Sequence, residues 1–136
     1  MHTAAVPAHA PLTARRVPQR DVAKILQHMP ADVQQQMRAQ YGDTPRLVAV
    51  DVWDSADQDG DMIHVATPGV RQTLTLLKTA QTLYLPAPAS GMLAVHIQGI
   101  RDGEGGITLG VRGTGTSVQL PVIAPGRAFT LTVGVP

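Results

Sequence analysis

From Arg46 onward apolar and polar residues alternate with a period of two, and this limits the fold more than any other feature of the sequence. LVAVDVW (47–53) places Val48, Val50 and Val52 on one side. In MLAVHIQGI (92–100), Leu93, Val95 and Ile97 face one way, and Ala94, His96 and Gln98 the other. Ile107, Leu109 and Val111 likewise oppose Thr108, Gly110 and Arg112, and Phe129, Leu131, Val133 and Val135 oppose Thr130 and Thr132. With MIHVA, VRQTLTLL, TLYLP and SVQLPVI this makes about eight short runs, parted by Pro-Gly, Ser-Gly, Asp-Gly and Gly-Thr-Gly signals roughly every 8–12 residues. A strand with one apolar face needs a second layer to bury it. The expected fold is therefore mainly β: an antiparallel β-sandwich, Ig-like or jelly-roll-like, of about eight strands over residues 46–136.

The first third of the chain reads differently. Residues 1–19 carry Pro7, Pro11 and Pro18 and no apolar period, which predicts a flexible leader, or an arm ordered only by a partner. Residues 20–42 form a short helical segment. Asp21 is the expected cap of DVAKILQHM, where Val22, Ile25, Leu26 and Met29 share a face. Pro30 then breaks the helix and opens a second, ADVQQQMRAQY, closed by Gly42. Its stripe of Val33, Met37 and Tyr41 is narrow and predicts a surface helix.

Composition removes several functions. The 136 residues are the size of one domain, and 43% hydrophobic content suffices for one core. A net charge of +1 gives no field to attract nucleic acid or an acidic membrane. The absence of cysteine removes disulfides, thiolate nucleophiles and Cys-ligated zinc. No apolar run is long enough to suggest a membrane span. The N-terminus lacks the basic start and apolar centre of a signal peptide, so export would rest on a signal already removed or on a dedicated machine. Nine arginines to two lysines, no asparagine, and abundant Ala and Gly suggest a GC-rich bacterium. The aromatics are Trp53, Tyr41, Tyr84 and Phe129, too few for the stacking platforms of sugar or single-strand binders.

The stretch DVWDSADQDGDMIHV (51–65) holds the sharpest candidate chemistry. Calcium takes six to eight oxygen ligands, and closely spaced aspartates on a turning backbone can supply them. Asp57, Asp59 and Asp61 have the spacing that opens an EF-hand, but Met62 stands where its glycine belongs and Pro68 where its glutamate belongs, so a true EF-hand is excluded. If every connection reverses the chain, the loops 54–61 and 101–106 share one rim. Asp54, Asp57, Asp59, Asp61, Asp102 and Glu104 then form a candidate calcium group. The competing reading is a solvated hairpin tip rich in turn-forming Asp-Gly pairs. No other cofactor is expected.

Catalytic readings are weaker. Glu104 is the single glutamate, and aspartates sharing an exposed loop would not have their pKa values driven apart as glycoside hydrolysis requires. Ser55, Ser90 and Ser117 sit beside turn residues, none within G-x-S-x-G. His64 and His96 fall on outward strand faces, and His2, His9 and His28 have no partner at zinc spacing. The Gly-rich stretches 102–110 and 113–117 lack the Lys-Ser/Thr of a phosphate loop. Trp53, at the end of its strand, is expected to pack across the sandwich end.

VWDSADQDGDMIHV, VRQTLTL and GIRDGEGGITLGV together resemble a pattern in bacterial accessory β-sandwich domains. There a first strand ending V-W-D or V-Y-D runs into an acidic D-G-D turn and an alternating strand, and a later Asp-Gly-rich turn precedes I-T-L. The likeness covers residues 48–135, about two-thirds of the chain, and leaves the helices outside. It implies a periplasmic or secreted, non-enzymatic binding or structural module, with no catalytic residue to carry over.

The expected function is accordingly a bacterial protein-interaction module, in one form an inhibitor or immunity-type protein. Trp53, Asp57, Asp59 and His96 are the candidate contacts to another protein. Exposed edge strands would offer strand addition. A calcium-stabilised accessory domain, and a hydrolase around His64, His96 and the rim acids, are the alternatives.

Overall fold

The computed structural model describes residues 4–5, 12–56, 59–101 and 106–136. The chain is mainly β, with two helices among the described residues and strands gathered into two sheets. The first sheet has the order β1 (Ala4–Ala5), β11 (Ala128–Val135), β8 (Gly91–Arg101), β5 (Met62–Thr67) and β6 (Val70–Thr75). β2 (Leu12–Thr13) continues β1's line along the same edge of β11. The second sheet centres on β4 (Leu47–Asp54), with β7 (Gln81–Pro86) along one edge. The other edge is shared: β3 (Arg15–Arg16) pairs with Val48 and Ala49, and β9 (Leu109–Arg112) with Asp51–Asp54. β10 (Ser117–Gln119) lies outside β9.

The alternating residues fill one core between these sheets. Val48, Val50, Val52, Leu83, Leu85, Leu109 and Val111 come from the second sheet. Ile63, Val65, Leu93, Val95, Ile97, Phe129, Leu131 and Val133 come from the first. Every inward residue expected from the alternation of β8 is buried, and its outward neighbours are exposed. Fully burying a Val, Leu, Ile or Phe side chain is worth about 1.5–3 kcal/mol, so this double layer dominates the stability.

Two expectations are corrected here. The segment 12–17, read as part of a flexible leader, is woven into both sheets. Ala14 donates its N–H to Gly134 O at 2.9 Å, and Val17 donates to Leu47 O at 3.1 Å. Leu12, Ala14 and Val17 are buried. Pro11 and Pro18 flank this segment without entering it, and its paired runs of two residues are too short to show a period. Because β1 and β2 run parallel to β11, the first sheet is mixed rather than purely antiparallel.

The helices are α1 (Gln19–Gln27) and α2 (Ala31–Tyr41), and each follows a proline in extended conformation. Pro18, not Asp21, occupies the cap of α1, and Asp21 lies in the first turn, where its charge favours the helix dipole. Gly42 closes α2 with φ 78°, as expected of a residue at that end. Val22 and Leu26 of α1 and Val33 and Met37 of α2 bury against Leu47, Ala49, Val17 and Val70. This second, smaller core covers the outer face of the second sheet where β4 begins. Arg71 closes the same contact: its N–H donates to Gln36 Oε1 at 2.8 Å, and its C=O accepts from Gln36 Nε2 at 3.0 Å.

Candidate functional site

At the far end of β4 the chain turns from the second sheet into the first. Asp54 continues the inward series of Val48, Val50 and Val52, so strand parity drives its carboxylate into the interior, and it is 0% exposed. Its Oδ1 accepts from Ala56 N–H at 3.0 Å and from Thr108 Oγ1 at 2.9 Å. Asp61, immediately before β5, is 1% exposed, with its carbonyl bonded by Leu76 N–H at 2.8 Å. Asp59 is half-buried, and a carboxylate oxygen from each of Asp54, Asp59 and Asp61 lies within 4.8 Å of the others. Asp54 Oδ2 and Asp59 Oδ1 are buried without a hydrogen-bond donor. The aspartates are thus not all in an exposed loop, which corrects the expectation of a wholly solvated tip.

Asp57, Asp102 and Glu104 lie outside the described residues. Among the described residues, Arg101, the last of β8, stands opposite Met62, the first of β5. Thr108 was read only as an outward residue of its strand. Its bond to Asp54 follows from β9 pairing with the end of β4, which places Leu109 opposite Asp54.

On the outer face of the second sheet, Asp51 gathers two guanidinium groups. Arg15 reaches its two carboxylate oxygens at 3.1 Å each, Arg112 donates at 3.2 Å, and Thr82 Oγ1 at 3.1 Å. Burial alone would raise the Asp51 pKa, but the bonds from Arg15, Arg112 and Thr82 outweigh it and hold the group below the usual carboxylate range. Next along this face, Trp53 lies flat over Gly110, whose missing side chain makes room for the ring. Arg112 stacks on the indole with its guanidinium carbon 5.7 Å from the ring centre. Trp53 therefore packs on the sheet's outer face rather than across its end.

His64 and His96 belong to the opposite outer face. His64 Nδ1 is 2.9 Å from Thr73 Oγ1, and His96 Nδ1 is 2.9 Å from Thr130 Oγ1, each pair directly opposed across neighbouring strands. Desolvation first, and then the charge of Arg71, lowers the His64 pKa. Trp53 is thus separated from His96 by the thickness of the core, and these two candidate contacts do not share one surface.

A groove that sequence reasoning missed, of about 550 Å³, runs between α1 and the outer strands β6 and β7. Ile25, Met29, Val33, Leu74, Leu83 and Tyr84 give it apolar walls, and Asp21, Lys24 and His28 stand among its polar residues. Both strand edges beside it are occupied by glutamine amides: Gln36 at Arg71, Gln81 Nε2 at Thr75 O (2.9 Å) and Gln72 Nε2 at Tyr84 O (2.8 Å). Strand addition there would have to displace these side chains. No helix among the described residues is long and apolar enough to cross a membrane.

Compared with known proteins, the chain matches no family model, no curated protein sequence and no solved structure.

Proposed function

We propose that this chain is a non-enzymatic bacterial β-sandwich module of Ig-like form that acts, outside the cytoplasm, by binding another protein. The observation that carries this reading is the groove between α1, β6 and β7. Its half-buried Ile25, Met29, Leu74 and Tyr84 surround a concave apolar floor beside charged Asp21 and Lys24. An apolar centre within a polar rim is the anatomy of a protein contact that forms and dissolves. The Ig-like description is supported by two sheets sharing one core and by an N-terminal segment that passes from one to the other. His64 and His96 support a binding rather than a catalytic role, because each spends a ring nitrogen on a threonine hydroxyl of an open face.

The test uses a photo-crosslinking residue at Met29, with matched placements at His96 and at Trp53, in the source cell. A specific protein adduct at Met29 alone supports the reading. Adducts at His96 alone would move the interface to the opposite face, and adducts at none of the three would sink the binding function. Met29→Asp should abolish capture with little effect on the melting temperature, because Met29 is only partly buried.

A further inference from the structure

We infer that Asp54, Asp59 and Asp61 form a calcium site. The clustering of acids is only part of the argument. The decisive observation is Asp54: a member of the three-acid group, 0% exposed, whose Oδ1 takes two donors while its Oδ2 is buried and takes none. A buried, unpartnered carboxylate oxygen is costly, and two further carboxylates within 4.8 Å add repulsion of like charge. A divalent cation among the three removes both penalties at once.

The donor set selects the ion. All three groups are carboxylates, with no nitrogen or sulfur, so a hard cation is favoured over zinc or copper. Calcium accepts an irregular set of oxygens at about 2.3–2.6 Å, whereas magnesium demands near-ideal octahedral geometry and gives up its water reluctantly, so a cluster of three aspartates from one turn favours calcium. Water can complete the six to eight positions that calcium takes. Thr108 and Ala56 N–H act as positioning groups, since their bonds to Oδ1 fix the plane of the Asp54 carboxylate. Lys78 also reaches this loop, its ammonium donating to Ala56 O at 2.6 Å. The site joins the end of β4 to the start of β5, so an ion there ties one sheet to the other at the open end of the core.

The experiment is a thermal melt of the full chain, stripped with EGTA and then supplied with millimolar calcium or with potassium chloride of equal ionic strength. Calcium should raise the melting temperature, and at 100 times its dissociation constant it should raise the folded-to-unfolded ratio about 100-fold. Asp59→Asn, at the half-buried position, should fold and lose this response. Asp54→Asn is the stronger change, but it alters a fully buried group that also orders the turn. Terbium provides a reading independent of stability. Trp53, the one tryptophan of the chain and the neighbour of Asp54, should sensitise terbium luminescence that calcium then displaces. An unchanged wild-type melt overturns the site. So does an Asp59→Asn protein that responds as the wild type does, and an equal response to magnesium overturns the choice of ion.

Discussion

The two halves of β4 share one strand and one inner face, yet their outer faces could hardly differ more. Leu47 and Ala49 point outward and are 1% and 3% exposed, because α1 and α2 lie over them. Asp51 and Trp53 point outward too, but they meet the guanidinium groups of Arg15 and Arg112, the Thr82 hydroxyl and the bare surface of Gly110 instead of a helix. Burial along the strand follows this division, with its first four residues all buried before alternation sets in. The lesson is that one covered face holds a strand in a sheet, and a second covered face marks where another layer docks. Where no layer docks, charge and a stacked aromatic protect the backbone instead.

The comparison breaks most sharply if the first half is made to resemble the second. Leu47→Asp should cost more than about 3 kcal/mol, since it buries an unpaired charge beneath the helices. Hydrogen exchange would then show α1 and α2 losing protection before the core strands do. Leu47→Ala should cost about 2–5 kcal/mol by leaving a cavity, read from a shift in the denaturant midpoint at unchanged slope.

Asp51→Asn probes the charged half and should cost about 1 kcal/mol at low salt, shrinking as salt is added, because its arginine partners are partly exposed. Its folded pKa lies below the unfolded value, so the contribution is present above the unfolded pKa and lost as pH falls through the folded one. The wild type should therefore lose stability toward acid faster than Asp51→Asn does.

Gly110→Ala would push a methyl into the Trp53 ring and should cost about 1–3 kcal/mol, with a shift in tryptophan fluorescence as the check.

The smallest effect belongs to the open face of the other sheet. The lowered His64 pKa means that the unfolded chain binds the proton more readily, so stability should slip as pH falls below the ordinary histidine value. His64→Gln should flatten that slope in melts between mildly acidic and neutral pH.

Much of this was legible in the sequence. The inward residues of β8, β9 and β11 follow from the period of two, since each strand has only two faces to choose between. Gly42 and the two helices were equally plain. The covered half of β4 was not read out, although Leu47 and Ala49 break the alternation by being apolar themselves. The N-terminal strands stayed hidden because pairs of two residues are too short to show a period. At the acidic rim, parity could have placed Asp54 with Val48, Val50 and Val52, and it was the run of neighbouring aspartates that suggested solvent. Thr108 and the groove by α1 required contacts between segments far apart in the chain, which no local pattern carries.

The placement of residues 12–17 also bears on the order in which the molecule assembles. β2 pairs with Val133 and Gly134, and Arg16 bonds the carbonyl of Pro136, 120 positions further on. Residues 12–16 must therefore wait for residues 133–136 to be made before they can be seated. Until then the long edge of β11's neighbour β8 lacks its own partner. The nascent chain should be most open to misassembly in the interval before β11 has been made.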